Sequence, residues 1–493
     1  MNEKSDIGRF FKHSTIYALG NILNRIGAFL LLPIYTTYLS LAEYGALELF
    51  YTVSAVVSGM LAVGIAHATL RFYFEYDDQK DRNAVVTTNI IASALITLVG
   101  ISIVWLFDQQ IAELVFGSTE NKVLWGLYIV LGTMVLELSS QVCLAYLRAR
   151  ELSMFYVLLS LVKLIIQVSI NSYLVIVEEA GITGILAGNF VAVGVGWLML
   201  ISYTLYHCGL RFHFDKMKSI ISYSFPFLLG TLVGIIAVNA DRFMLNMFMG
   251  LEAVGIYALA LKLTLLVEVL VAEPFSKSYG AYRFSIMKND DAGDTQKKIT
   301  GYMSLIVSII IILIVYSSHE IITIMSNPEY YTAVVILPVL IFIGGFKVFT
   351  YIFQTGILYK KATKNIFYLS VLGCLSIIGL NYIFINAYGL LGACIAKVIA
   401  SLIVLSATNY ISQKYMKVEY PYLTLIKILL ITVGFIIIGI GANELSFWIA
   451  IFVKLMLFLM LLVTLYHSGV LSVEDKNRAI FLLKSKLSRK PTS

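Results

Sequence analysis

The sequence predicts an all-α polytopic membrane protein of about fourteen transmembrane helices. Of its 493 residues, 59% are hydrophobic and only 13% are charged, whereas a soluble domain carries about 25% charged residues. The mean hydropathy is +0.87. Apolar runs long enough to cross about 30 Å of hydrocarbon recur along the chain. An alternation of period two is absent, which argues against a transmembrane barrel.

Each predicted helix is an apolar run that ends at a polar or charged connection. The N-terminal segment is polar and basic and precedes an apolar run with no small-residue cleavage site, so we expect a retained helix rather than a signal peptide. The helices are predicted near residues 14–38, 45–68, 85–107, 123–146, 153–177, 181–206, 219–247, 253–275, 299–317, 332–357, 366–386, 389–411, 423–442 and 447–468.

The charges of the connections predict the topology. If the N-terminus is cytoplasmic, the two tails and the even-numbered connections hold 27 Lys and Arg residues, while the odd-numbered connections hold one, Lys122. This asymmetry follows the positive-inside rule and places both termini in the cytoplasm. A missed helix would have inverted every later connection. The odd-numbered connections instead carry acids, namely Glu43, Asp108, Glu113, Glu120, Glu178, Glu179, Glu252, Glu320, Glu329 and Glu444.

Several classes of function are disfavoured. The net charge of +7 is distributed connection by connection, which indicates membrane topology rather than nucleic-acid binding. No Walker sequence is present, so we expect no ATP hydrolysis within this chain. The four cysteines show neither disulfide nor metal spacing, and we expect no metal site, no catalytic residues and no bound cofactor.

An internal repeat divides the chain. The stretch 38–50 resembles 248–260 at an offset of 210, and Gly181 and Gly184 correspond to Gly389 and Gly392 at an offset of 208. Six helices per half is an even number, so the repeat is parallel, with a pseudo-two-fold axis along the membrane normal. The expected parts are an N-terminal six-helix lobe at 1–210, a C-terminal six-helix lobe at 211–415, two extra helices at 416–470 and a cytoplasmic basic tail at 471–493.

Two bundles around a central cleft form an architecture suited to alternating access, although a duplicated bundle can also be structural or receptor-like. Eight basic residues remain inside the predicted helices, each at a cost of roughly 2.5–3.5 kcal/mol at a helix centre. We set aside Lys427, near a cytoplasmic end, and Lys454, in the added helices. The candidates for an anion-binding cavity are Arg25, Lys163, Arg242, Lys262, Lys347 and Lys397.

Polar and acidic residues accompany these bases. Asn21 and Asn24 share a face of the first helix with Arg25, and Gln167 and Asn171 continue the face of Lys163. These amides are candidates for binding sugar hydroxyls, or they form interhelical hydrogen bonds. For each base the alternative is structural pairing, and Asp241 and Arg242 can neutralise one another or their neighbours. The acids within the same segments are Glu137, Asp241 and Glu268.

Three stretches carry a resemblance to a known family. They are helix 1 into helix 2 with Asn21, Pro33, Tyr44-Gly45 and Leu70-Arg71-Phe72, then NADRFMLNMFMGLEAVGIYALALKL at 239–263, and finally 330–411 with TGILYKKATK and GLLGACIAKVIAS. Together they resemble the polysaccharide flippases (O-antigen transporters, Wzx-like) of the multidrug/oligosaccharidyl-lipid/polysaccharide exporter superfamily.

The resemblance implies a non-enzymatic flippase in the bacterial cytoplasmic membrane. It implies that an undecaprenyl-pyrophosphate-linked oligosaccharide moves from the inner to the outer leaflet, with the six basic candidates contacting its pyrophosphate and acidic sugars. An H⁺ or Na⁺ gradient would make Glu137, Asp241 and Glu268 candidates for coupling. Expected partners are membrane lipids, a polysaccharide polymerase and chain-length machinery. The alternatives are a lipid II-type or other exporter of the same superfamily, or a membrane-embedded polysaccharide polymerase.

Overall fold

The computed structural model describes residues 29–62, 64–286 and 292–470, together with Ile16, Gly20 and Gly27. All regular secondary structure in these residues is helical. The α-helices are α1 Leu32–Tyr38, α2 Leu41–Leu61, α3 Ile65–Glu75, α4 Gln79–Leu106, α5 Asp108–Phe116, α6 Asn121–Ala149, α7 Ser153–Ile176, α8 Gly181–Cys208, α9 Phe214–Met249, α10 Leu251–Val267, α11 Glu273–Ile286, α12 Ala292–Met325, α13 Thr332–Leu340, α14 Phe342–Phe353, α15 Thr355–Tyr359, α16 Lys364–Tyr415, α17 Tyr422–Gly441 and α18 Phe447–Tyr466.

Three short elements join these helices. A π-helix, Glu268–Ala272, connects α10 to α11, and two 3₁₀ segments, Pro328–Tyr331 and Ala442–Glu444, precede α13 and follow α17. The π-helix makes α10 and α11 one continuous membrane span rather than two helices.

Twelve helical spans of the described residues are long and apolar enough to cross a membrane. One of them, α16, is 52 residues long and has a non-helical backbone at Gly389, which is where the sequence predicts the boundary between two helices. The twelve spans therefore correspond to the thirteen predicted helices from residue 45 to residue 468. The predicted first helix, 14–38, lies mostly outside the described residues. The all-α polytopic membrane fold is confirmed.

Local sequence fixes the helix boundaries. Ser40 and Glu43 form a capping box at the start of α2, in which the Ser40 hydroxyl accepts the Glu43 N–H at 3.3 Å and the Glu43 carboxylate accepts the Ser40 N–H at 3.0 Å. Gly181, which begins α8, and its repeat equivalent Gly389 both have positive φ, at +54° and +57°. Such a conformation is costly for any residue with a Cβ, so glycine is required at both turns.

The contact between α2 and α10 is reciprocal, as expected for equivalent helices of a repeat. A Cβ on Gly45 of α2 would lie 1.9 Å from the Leu251 carbonyl oxygen, and a Cβ on Gly255 of α10 would lie 2.4 Å from the Leu41 oxygen. Both glycines and both leucines are related by the offset of 210. A contact in which the same patch meets its own equivalent is the signature of a two-fold relation. It supports the predicted repeat, while the limits of the predicted lobes stay a prediction.

The described residues form two compact units. The first unit holds the residues up to Ala258, with Met325–Tyr330 and Ile377–Leu390, and the second unit holds Leu259–Ile324, Tyr331–Ser376 and the residues from Leu391 on. In the first unit the core gathers around α6, where Tyr146 and Leu147 are fully buried against Tyr73, Val86 and residues of α8. The helices α17 and α18 belong to the second unit.

Within the first unit, residues 325–330 are hydrogen-bonded to the C-terminal end of α1 and to the connection that follows it. The Thr36 hydroxyl donates to the Met325 carbonyl oxygen at 2.7 Å, and the Asn327 amide donates to the Thr37 carbonyl oxygen at 2.9 Å. Tyr330 is fully buried, and its hydroxyl lies 3.2 Å from the Leu39 carbonyl oxygen. These bonds satisfy carbonyls at a helix end that have no partner within the helix.

Candidate functional site

Arg242 is held on α9 by neighbours from two helices. Its Nη1 donates to the Asn239 side-chain oxygen at 2.8 Å, one helical turn away. Its Nη2 lies 3.9 Å from Oε2 of Glu48 on α2, and the two side chains are 16% and 5% exposed. The guanidinium therefore lies between α2 and α9, with a carboxylate facing it at a distance longer than a hydrogen bond.

The Asp241 carboxylate bonds to groups other than the Arg242 guanidinium. Its side chain is fully buried, and its Oδ2 accepts a hydrogen bond of 2.6 Å from the Tyr257 hydroxyl of α10. Its other oxygen accepts the backbone N–H of Arg242 at 3.0 Å. Of the two alternatives that the sequence leaves open, the structure favours pairing with neighbours, because the Arg242 guanidinium faces Glu48 and Asn239. A coupling role for Asp241 stays a prediction.

The polar face of α7 forms a hydrogen-bond network with three other helices. The Asn171 amide donates to the Tyr35 hydroxyl at 2.6 Å and to the Asn189 side-chain oxygen at 3.0 Å. The same oxygen accepts from Gln167 at 2.9 Å, and the Asn189 amide donates to the Tyr51 hydroxyl at 2.9 Å. Asn171 is fully buried, whereas Gln167 is half-buried. Interhelical bonding thus occupies the Asn171 amide, and Gln167 retains exposed surface.

Lys163 lies one and two turns before these amides on the same helix and is half-buried. No acidic side chain of the described residues lies within ion-pair distance of it. Glu137 on α6 is also half-buried and likewise has no basic partner in the described part of the chain. Lys163 and Glu137 therefore lie inside membrane helices of the first unit with no ion-pair partner among the described residues.

The second unit contains an ion pair that the sequence did not predict. Lys347 on α14 pairs with Glu268, the first residue of the π-helix, and the two side chains are 42% and 22% exposed. Single π-turns within α-helices are frequent at functional sites. Lys262 on α10 and Lys397 on α16 are half-buried in the same unit.

The two lysines that were set aside are held by local partners. Lys454 pairs with Glu320 at 2.7 Å, with side chains only 6% and 12% exposed, and Lys427 donates to the Ser468 carbonyl oxygen at 3.1 Å. Glu320 lies within α12, three residues beyond the predicted end of that helix at residue 317. The apolar run there continues to residue 325, and the carboxylate is neutralised by Lys454.

The predicted site residues divide between the two units. Arg25, Asn21 and Asn24 lie outside the described residues. The first unit contains Lys163, Arg242, Gln167, Asn171, Glu137 and Asp241, and the second contains Lys262, Lys347, Lys397 and Glu268.

Sequence reasoning missed the partners that orient these groups. Tyr257 binds Asp241 from sixteen residues further along the chain, and Tyr35 and Tyr51 complete the amide network. Tyr257 lies inside the stretch 248–260 of the repeat and inside the stretch 239–263 of the family resemblance, and these were the available signals. Tyrosine is common at many positions of a membrane protein, so composition does not identify these partners.

Comparison with solved structures identifies the fold. The chain is similar to lipid II flippase MurJ in an inward closed conformation, with 16% identity, a TM-score of 0.73, and coverage of 92% of this chain and 99% of that one. It is also similar to an inward-facing multidrug resistance MATE family transporter of the MOP superfamily, with 16% identity, a TM-score of 0.64, and coverage of 81% and 94%.

An outward-facing MATE family transporter of that superfamily matches at 16% identity and a TM-score of 0.56, over 82% of this chain and 94% of that one. The chain therefore shares its fold with solved flippases and transporters. No curated protein sequence matched the chain. A family model described as polysaccharide biosynthesis protein matches residues 10–279. Because this match spans more than half of the 493 residues, the chain belongs to the polysaccharide biosynthesis protein family, which confirms the predicted family.

Proposed function

We propose that the protein is a flippase that moves an undecaprenyl-pyrophosphate-linked oligosaccharide from the inner to the outer leaflet of the bacterial cytoplasmic membrane. Membership of a polysaccharide biosynthesis family supports a glycan substrate. The fold shared with a lipid II flippase supports a lipid-linked one. Alternating access between two repeat halves would carry the polar headgroup while the lipid tail stays in the bilayer.

The observation that carries this proposal is Lys163. A lysine in a membrane helix costs about 2.5–3.5 kcal/mol at the helix centre, and intramembrane charges are retained where they line a path for an ion or substrate. Lys163 is half-buried, and no acid among the described residues pairs with it. A water-filled surface that receives an anionic headgroup accounts for both facts.

The other residues have distinct roles in this proposal. Arg242, Lys262, Lys347 and Lys397, with Arg25, would bind pyrophosphate and acidic sugars, because charge-assisted bonds to phosphate are the strong ones. Asn21, Asn24 and Gln167 are the proposed contacts of sugar hydroxyls, and Gln167 has the exposed surface for it, whereas Asn171 is fully buried and belongs to the interhelical network. Glu137, Asp241 and Glu268 are proposed to couple transport to an H⁺ or Na⁺ gradient. A polymerase and chain-length machinery are the proposed partners.

A second candidate is a lipid II-type substrate. The observation that favours it is the similarity to MurJ over nearly the full length of both chains. Both substrates are polyprenyl-linked diphosphates, so the same basic residues would serve either. The sugar portion distinguishes them, and transport of a panel of lipid-linked glycans by one preparation would decide between the two.

The test uses full-length protein in proteoliposomes with a fluorescent undecaprenyl-pyrophosphate oligosaccharide. The fraction of probe accessible to a reagent added outside measures translocation. We expect transport by the wild type and at least a tenfold slower rate for Lys163→Gln, since the anion loses a charge-assisted contact of about 1.5–3 kcal/mol. Lys122→Gln, at an exposed site in the first turn of α6, is the control and should transport normally.

An absence of transport by the wild type across the whole panel of glycans would contradict the proposed function. Equal transport rates for Lys163→Gln and the wild type would show that Lys163 does not contact the substrate, while the proposed flippase function would still stand.

A further inference from the structure

The guanidinium of Arg242 has unused hydrogen-bonding capacity. An arginine carries five N–H donors in a planar fork, and here Nη1 bonds to Asn239 at 2.8 Å. Nε is buried and has no acceptor among the described residues. Nη2 is 3.9 Å from the Glu48 carboxylate, which is beyond the usual range of about 2.7–3.2 Å. Arg242 is thus neutralised by Glu48 at a distance but is not fully hydrogen-bonded.

Glu48 is a buried acid that faces this guanidinium from another helix. Its side chain is 5% exposed. Asp241, the other nearby carboxylate, is occupied by Tyr257 and by a backbone N–H. Glu48 is the carboxylate that lies opposite Nη2 of Arg242, at 3.9 Å, and this gap is one that a direct hydrogen bond would close.

The pair lies toward the side of the membrane at which transport would end. Arg242 is seven residues before the end of α9 at Met249, and Glu48 is seven residues after the start of α2 at Leu41. At a rise of 1.5 Å per residue, both are about 10 Å from those helix ends. The predicted topology places both ends on the extracytoplasmic face.

We propose that Glu48 is a built-in counter-ion that competes with the diphosphate of the substrate for Arg242 and so promotes release toward the outer leaflet. The inference rests on the proposed function. A diphosphate oxygen would accept from Nε and Nη2 together, in the bidentate geometry that arginine favours. When the ion pair between Glu48 and Arg242 forms again, the substrate loses its contact with Arg242, and the guanidinium still has a counter-charge.

A purely structural ion pair has the opposite consequence. If Glu48 only stabilises the fold, its neutral replacement leaves Arg242 without a counter-charge, and the protein unfolds more readily without binding anions more tightly. If Glu48 instead competes with the diphosphate for Arg242, its neutral replacement should make the protein bind the diphosphate more tightly. Its removal also predicts slower release, so that affinity and turnover change in opposite directions.

The experiment titrates purified full-length protein with geranylgeranyl diphosphate as the probe, by calorimetry in detergent. We expect Glu48→Gln to bind the probe five- to twentyfold more tightly than the wild type and to translocate the lipid-linked oligosaccharide several-fold more slowly. Glu252→Gln removes an exposed acid of α10 and should behave as the wild type. In the Arg242→Gln background, Glu48→Gln should no longer tighten binding.

Unchanged or weaker binding by Glu48→Gln overturns the inference, and so does tightening that persists without Arg242. Glu48→Asp provides a second variant, because it keeps the charge but withdraws it from the guanidinium, and it should bind with intermediate affinity. Thermal unfolding of each variant identifies a folding defect. If the wild type binds no diphosphate, the proposed function itself fails, and this result is distinct from every variant-specific outcome.

Discussion

Asn171 shows how one buried amide depends on the residue that makes room for it. Its side chain is fully buried between α7 and α8, and a Cβ on Gly188 would lie 2.0 Å from its Oδ1. Glycine at 188 therefore admits the amide, which then reaches Tyr35 and Asn189. Interhelical hydrogen bonds of this kind contribute about 0.6 kcal/mol on average in membrane proteins, and up to about 1.7.

We predict that Asn171→Ala lowers the free energy of unfolding by about 1 kcal/mol, because two hydrogen bonds are lost. Gly188→Ala should cost about 1–3 kcal/mol through overpacking against the amide. The double variant should be more stable than the sum of the two losses indicates, since the alanine at 171 removes the clash. Thermal unfolding in detergent measures all three. Strict additivity would contradict the contact.

At the same scale, the charged residues divide into those with a fixed partner and those without. Lys454 and Glu320 neutralise one another in a nearly dry environment, whereas the Lys347–Glu268 pair is partly exposed. A partly exposed pair can exchange partners at lower cost, because its charges stay solvated when they separate. This difference in exposure is why Lys347, and not Lys454, remains a candidate for contact with an anionic substrate.

Among the secondary-structure elements, the crossing of α2 and α10 is the closest approach that the glycines record. A Cβ on either Gly45 or Gly255 would overlap a backbone oxygen of the facing helix. Backbone atoms cannot move aside as a flexible side chain can, so only glycine permits this spacing. Small residues at such crossings allow membrane helices to approach closely and to pack.

We predict that Gly45→Ala and Gly255→Ala each reduce the free energy of unfolding by at least about 1–3 kcal/mol, the usual cost of overpacking. The matched control is Gly196→Ala, where a Cβ would meet nothing within 4 Å, and where alanine should be neutral or slightly stabilising. The measurement is thermal unfolding in detergent. Equal stability of Gly45→Ala and Gly196→Ala would refute the close crossing.

For the whole molecule, the distribution of charge makes the orientation testable. Lys and Arg are retained on the cytoplasmic side during insertion, so the predicted topology places residues 80 and 252 on opposite sides of the membrane. We predict that Glu252→Cys, in an otherwise cysteine-free protein, reacts with a membrane-impermeant thiol reagent added to intact cells. Lys80→Cys should react only after the cells are permeabilised. Both side chains are exposed, and the reverse labelling pattern would contradict the topology.

The pattern of apolar runs determined most of the fold, for a physical reason. In hydrocarbon every backbone N–H and C=O must be bonded within its own segment, so each long apolar run has to be a helix. The break at Gly389 falls between two predicted helices, and glycine is required there because φ is positive. Other boundaries were less exact: α12 extends to Met325, beyond the predicted end at residue 317, so that Glu320 lies within the helix and pairs with Lys454.

The sequence by itself determined which charges and amides belong to the long apolar helices, because the residues around each of them fix the helix to which it belongs. Only the tertiary structure decided what each of them faces. In the tertiary structure Asp241 accepts a hydrogen bond from Tyr257, and Arg242 lies opposite Glu48. Lys347 pairs with Glu268, and Asn171 donates a hydrogen bond to Tyr35. These partners lie on different helices, most of them far apart in the chain, and their contact depends on how the helices cross. No local pattern in the sequence shows which side chains of two different helices will contact each other.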